Sequence, residues 1–263
     1  MGLKPLRTLL CVLALVGQPL IATAVTYGEP DDERHPYVGM VLVLADDQPL
    51  TFCSGTLITE TVFLTAAHCL RDADLALVWF DDEIERDFLP PPISGRPFRH
   101  PDFDDFESFP NNNDVGIVQL DWPVITGRYG ILPNLGELDD LATARGRKNQ
   151  LMTLVGYGLG VIYPFTPLAP PELLERRVAE SMLVNLRSAL TDGYNLQTSG
   201  HPGEGRGDGG ICRGDSGGPV LLGGTDIVVG IISFGTNAIC RGVGFHTRVD
   251  IETTMTFIKG FVR

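Results

Sequence analysis

Residues 214–218, Gly-Asp-Ser-Gly-Gly, set Ser216 between glycines on a stretch that can turn sharply. This is the G-x-S-x-G arrangement that holds a hydroxyl out as a nucleophile. A serine hydroxyl attacks poorly at neutral pH, so it needs a base within hydrogen-bond reach. His68, in LTAAHC (64–69), has the right intrinsic pKa, near ~6.5, to take and return that proton. It closes an apolar run and stands beside Cys69, a position that would hold the imidazole rigidly. Asp114, in NNNDVGIV (111–118), lies at the mouth of another apolar run, where a carboxylate needs a strong partner. An aspartate on the imidazole fixes its tautomer and stabilises the imidazolium. The three follow the order His, Asp, Ser, with about 46 and about 102 residues between them.

The elements that must position these residues read as short strands. VGMVLVLA, TFCSGTLIT, VFLTAA, LALVWF and VGIVQL are rich in β-branched and aromatic residues and are separated by polar turns. The polar stretch 135–150 separates this first unit from a second, with LMTLVGYGLG, PVLL, DIVVGIISF and VGFHTRV as its strands. PELLERRVAE is compatible with the opening of a short helix, with Pro171 in its first turn. The segment 250–262 carries Ile251, Met255, Ile258 and Val262 on one helical face, with Asp250 placed as N-cap. High glycine and proline counts, 31 and 19, suit many strands joined by tight turns.

The first segment has Lys4 and Arg7 ahead of an apolar run, a Gln18-Pro19 break and a small-residue Ala22-Thr23-Ala24 site. This is the pattern of a secretory signal peptide over 1–24, too interrupted to anchor the chain in a membrane. Its removal leaves a mature chain, 25–263, of net charge 18 − 33 = −15. So acidic a chain repels nucleic acid and anionic membranes, and no basic run argues otherwise. Cys11 leaves with the signal, so Cys53, Cys69, Cys212 and Cys240 remain in an oxidising compartment. Four cysteines allow three pairings. Sequence proximity favours Cys53 with Cys69 and Cys212 with Cys240, each closing a loop worth on the order of 3 kcal/mol. There is no C-x-x-C spacing for zinc.

TAAHC, NNDVGIV and CRGDSGGP, in that order, resemble the signature segments of the trypsin/chymotrypsin-like serine proteases. The resemblance spans the mature chain. It implies an all-β fold of two packed antiparallel six-stranded β-barrels, about 25–140 and about 150–250, with a C-terminal α-helix and the active site in the cleft between the barrels. It implies a catalytic triad of His68, Asp114 and Ser216, with the N–H groups of Gly214 and Ser216 as oxyanion hole. The expected protein is a secreted, monomeric endopeptidase acting on peptides or proteins and open to protein inhibitors, without cofactor or metal. An α/β-hydrolase esterase would need Ser, Asp and His in that order, which Ser216, Asp226 and His246 supply. PVLLGG after the serine cannot be the helix that fold requires, and no βαβ rhythm precedes it. A non-catalytic binding protein on the protease fold is the other alternative, although no triad member is missing.

By the same resemblance, a new α-amino group pairs with the aspartate before the serine. Signal cleavage would expose Val25-Thr26-Tyr27-Gly28 directly, so Val25 and Asp215 are the expected pair, with no propeptide. The pocket floor falls on Gly210 and Ile211 rather than an acid, which argues against cleavage after Lys or Arg and favours an apolar or aromatic side chain. Gly235 and Gly244 match the pocket walls, with Ser233 and Phe234 beside them and Arg213 at the rim. His246 stands near the floor, either as a packed core residue or, if protonated, as an acceptor of acidic side chains. Asp208 could approach only if its loop rearranged. His35, His100 and His201, beside prolines, are expected as exposed turn residues, and 102–107 as a solvated acidic loop near the cleft.

Overall fold

The computed structural model describes residues 25–143, 150–159, 173–200, 209–236 and 240–262. The signal segment 1–24, the Pro-rich stretch 163–171, His201 and Asp208 therefore lie outside the described residues. Fifteen strands are described. They are β1 (Glu29–Pro30), β2 (Val38–Ala45), β3 (Gln48–Leu57), β4 (Val62–Thr65), β5 (Leu75–Trp79), β6 (Glu83–Glu85), β7 (Ile93–Arg99), β8 (Gly116–Leu120), β9 (Leu151–Gly156), β10 (Leu173–Glu175), β11 (Arg177–Asn185), β12 (Asn195–Ser199), β13 (Pro219–Leu222), β14 (Val228–Gly235) and β15 (Val243–Arg248). Two short helices are α1 (Asp139–Thr143) and α2 (Glu252–Lys259). No described helix is long and apolar enough to cross a membrane.

The first six-stranded barrel closes in the order β2-β3-β4-β8-β7-β5. The second runs β11-β12-β15-β14-β13-β9 and closes through the β11–β9 pairing, Arg177 opposite Gly156 to Met182 opposite Leu151. All pairings between these strands are antiparallel, as the expected fold class requires. Each barrel is filled by the inward residues of its own strands, Val41, Val78, Phe63 and Ile117 in the first and Leu154, Leu196, Val220 and Val229 in the second. A small ribbon, β6 with β10, joins the two halves.

The chain ends depart from the expected division at about 140. Residues 25–30 belong with the second barrel: β1 pairs with β11, and Thr26 bridges Gly210. Helix α2 instead packs toward the first barrel, with Phe98 against Phe261 at 5.1 Å and His100 against Phe257 at 5.0 Å. The helix is also shorter than 250–262, and Asp250 does not cap it; Ile251 holds that position without a side-chain bond. The Asp250 carboxylate is taken instead by the Arg248 guanidinium (2.8 and 2.7 Å) and the Leu138 N–H (2.8 Å), a charged partner outcompeting a cap.

The helical reading of PELLERRVAE is also corrected, since 173–175 and 177–185 are strands. Its charges mislead because Arg176 and Arg177 are buried with partners: Arg176 reaches Asp31 (2.9 Å) and Asp82, and Arg177 reaches Glu175. His100 is buried rather than exposed, and burial holds its pKa below the usual value. His35 is half-buried and pairs with Asp31 at 2.5 Å.

Candidate active site

β4 ends at Thr65, and the chain passes through buried Ala66 and Ala67 into a single 3-10 turn beginning at His68. That turn is pinned by the Cys53–Cys69 disulfide, Cα to Cα 6.2 Å. Asp114 precedes β8, fully buried, and receives His68 twice: the backbone N–H donates to Oδ1 and the ring Nδ1 lies 2.8 Å from Oδ2. Ser233, on β14, donates its hydroxyl to Asp114 Oδ2 at 2.5 Å. Burial opposes ionisation of both partners, but mutual attraction and these bonds win. Asp114 titrates below the ordinary carboxylate range and His68 above the ordinary imidazole value.

Ser216 lies on the turn between Cys212 and β13. Its hydroxyl makes a long bond, 3.5 Å, to the Ser233 carbonyl. The turn is possible only with glycine. Gly217 has φ +82°, and a Cβ there would stand 2.0 Å from Thr65 Oγ1. Gly214 has φ +95° and would meet Phe52 Cε2 at 2.6 Å. The carbonyls on this turn are held from behind. Leu159 N–H donates to Arg213 O (2.6 Å), Ser54 Oγ to Gly214 O (2.9 Å) and Gly218 N–H to Asp215 O (2.9 Å). In a trans peptide the N–H points opposite the carbonyl, so the Gly214 N–H faces away from Leu159 and the Ser216 N–H faces away from Gly218. Among the described residues neither has an acceptor.

Asp215 points into the interior, fully buried, and accepts Gly158 N–H (2.8 Å), Cys212 N–H (2.8 Å) and the backbone N–H of Val25. Burial without a cation pushes its pKa up to about 7 against those three donors. Val25 itself is fully buried.

Beside Ser216 opens a cavity of about 450 Å³. Of the residues expected there, Ile211, Arg213, Ser233, Phe234, Gly235 and Gly244 line it, together with Ser216. Gly210 and His246 do not. Gly210 is packed behind the wall, where any Cβ would stand 2.6 Å from Gly200 Cα, so no side chain fits at that position. His246 is fully buried behind Gly244, bonded to Thr198 at 2.8 Å, and burial drives its pKa down to about 3. It is packed in the core and is not among the residues lining the cavity, which favours the packed reading over the acceptor role. The Cys212–Cys240 disulfide, Cα to Cα 5.0 Å, braces the cavity, and both of its cysteines line it.

Other contributors escaped the sequence reading. Arg241 and Val243 also line the cavity. Phe106 stands between His68 (6.0 Å) and Phe234 (5.6 Å), so the 102–107 loop is anchored by aromatic packing as well as by Arg71–Asp105, 2.6 Å. The spaced phenylalanines of DFDDFESF were the available signal. Cys53, His68 and Cys69 lie close enough together to suggest a metal set, but both sulfurs are spent in a disulfide.

Two closed six-stranded antiparallel barrels, a bonded His68–Asp114 pair and a serine on a glycine-flanked turn are the features of the chymotrypsin-like serine-protease architecture. The profile described as Trypsin matches residues 27–256, and the chain belongs to that family. Among curated relatives, cathepsin G of Mus musculus is 27% identical over 99% of this chain and 93% of its own length. Duodenase-1 of Bos taurus is 26% identical over 80% and 78%. A solved collagenase structure superposes with a TM-score of 0.69 at 20% identity, covering 91% of this chain and 98% of its own. A human heparin-binding protein does so at 0.61 and 20%, covering 90% and 96%.

Proposed function

We propose that the protein is a secreted serine endopeptidase that cleaves peptide bonds through an acyl-enzyme, with His68, Asp114 and Ser216 as its catalytic triad. The observation that carries this reading is the doubly bonded His68–Asp114 pair and a serine on a glycine-only turn, both of them bonded to Ser233. Ser216 Oγ attacks the substrate carbonyl while His68 Nε2 takes its proton. The long bond to Ser233 is weak enough to be given up by side-chain rotation. The tetrahedral oxyanion forms against the Gly214 and Ser216 N–H groups. Collapse expels the amine, protonated by His68, and water repeats the sequence to release the acid.

The leader 1–24 is removed by signal cleavage. The Val25 amine then replaces the amide already seated at Asp215 and neutralises a carboxylate that burial otherwise disfavours. The mature enzyme is an extracellular monomer acting on peptides or proteins, subject to protein inhibitors, and its acidity keeps it from nucleic acid and membranes. The cavity, with Ile211, Val243 and Phe234 in its walls and no carboxylate among its described residues, accepts an apolar or aromatic side chain rather than Lys or Arg.

Because a heparin-binding protein shares the fold, a binding role without catalysis is the second reading. Heparin itself is disfavoured by a chain of net charge −13. A serine-directed fluorophosphonate separates the two. The enzyme reading expects labelling at Ser216 that is lost in His68→Ala, with peptide hydrolysis falling by at least about 10⁴-fold. Folded mature protein that takes no label belongs to the binding reading.

A further inference from the structure

Arg213 and Arg241 flank the two ends of one disulfide. Arg213 follows Cys212, Arg241 follows Cys240, and the bridge holds the two cysteine Cα atoms 5.0 Å apart. Both arginines line the cavity beside Ser216, and no carboxylate among the described residues does. In a chain with 33 acidic against 20 basic side chains, chance would put an acid at this opening before a second guanidinium. Arg213 is exposed at the mouth, one residue from the oxyanion glycine. Arg241 is half-buried and has contacts of its own within the protein. Arg213 is therefore the cation that a substrate meets first, with Arg241 adding to the same field.

We infer that the disulfide-anchored pair Arg213 and Arg241 gives this cavity a second substrate class, side chains ending in a carboxylate, so that the protein cleaves after glutamate and aspartate as well as after apolar residues. This rests on the endopeptidase reading above. A carboxylate entering the cavity gives up part of its hydration, and the guanidinium groups at its edge return it as charge-assisted hydrogen bonds. A lysine or arginine side chain would meet like charge at the same point. The fixed positive charge also makes acceptance independent of pH above about 5, where the substrate carboxyl is ionised. A histidine-based acceptor would lose it as pH rises.

The test uses mature protein and matched peptides that differ only in the residue before the cut, glutamate, leucine or lysine. Active enzyme is counted by fluorophosphonate labelling of Ser216. The expected result is glutamyl cleavage with kcat/KM within about tenfold of the leucyl peptide and a lysyl peptide far below both. In Arg213→Gln/Arg241→Gln the glutamyl-to-leucyl ratio falls about tenfold. In Arg213→Glu the lysyl-to-glutamyl ratio rises, and Arg213→Lys keeps most of the wild-type ratio. Raising salt lowers the ratio in the wild type more than in the double variant. Leucyl cleavage without glutamyl cleavage, or a ratio that survives both substitutions and salt, overturns the inference while leaving the endopeptidase reading intact. Absence of labelling and of all cleavage overturns that reading instead.

Discussion

In the proposed endopeptidase, His68 and Asp215 set the pH window of activity between them. A protonated imidazole cannot act as the base, and Asp114 outweighs burial in holding the His68 pKa above its ordinary 6.5. Activity is therefore lost as pH falls through a value above 6.5. At the other end, an α-amino group titrates near ~8, and a buried carboxylate partner raises that value. Neutralising the Val25 amine removes the cation from Asp215, whose carboxyl without it is pushed up to about 7. The expected kcat/KM profile is a bell with its acid limb above pH 6.5 and an alkaline limb above about 8. N-terminal mass spectrometry of active protein should find Val25 first, and acetylating that amine should abolish activity at every pH. Active protein beginning elsewhere, or a flat alkaline side, would refute the pairing.

At the scale of elements, the turn that carries Gly214 and Ser216 is set by strands distant in sequence. Ser54, on β3, donates to Gly214 O at 2.9 Å and accepts Tyr157 N–H at 2.9 Å, while its own N–H donates to Ser216 O at 2.8 Å. Replacing Ser54 with alanine keeps the last bond and orphans two backbone groups, the buried Tyr157 N–H and the half-buried Gly214 carbonyl, at a cost of about 1–3 kcal/mol. Part of that cost falls on the Gly214–Asp215 peptide, which lies between the Gly214 and Ser216 N–H groups. Ser54→Ala is expected to lower kcat about tenfold with KM little changed, and an unaltered kcat would show that the turn holds itself. Ser54 could not be found from the sequence because its partners lie 103 and 160 residues away. His68, Asp114 and Ser216 were legible for the opposite reason: each sits in a short contiguous motif whose neighbours, Cys69, Val115 and the glycines, fix its local geometry. Phe106 and Arg241 were missed because spacing says nothing about which loops meet across a cleft. β10 and β11 were misread because Arg176 and Arg177 look exposed until their acidic partners are known.

For the whole molecule, one buried cation joins what the chain separates. Arg176, between β10 and β11, donates to Val38 O (3.1 Å) and Phe80 O (2.8 Å) of the first barrel and to Tyr157 Oη (3.0 Å) beside the second, and its Nε bonds Asp31 at 2.9 Å. Asp31 in turn fixes the N-terminal segment by accepting His35 N–H at 2.8 Å, six residues after Val25 enters the Asp215 site. Barrel docking and the seating of the segment that begins at Val25 thus share one side chain that is 1% exposed. Arg176→Met keeps the apolar bulk and leaves Asp31 as a buried charge facing only His35, for an expected loss of about 3–5 kcal/mol in denaturant unfolding. Adding Asp31→Asn removes that orphaned charge, so the double variant should be more stable than Arg176→Met alone. Additive losses would mean that the two residues act separately. Because Asp31 also guides the segment that carries Val25, Arg176→Met should lose activity before it unfolds, with the fraction of protein whose N-terminus resists aminopeptidase falling in step.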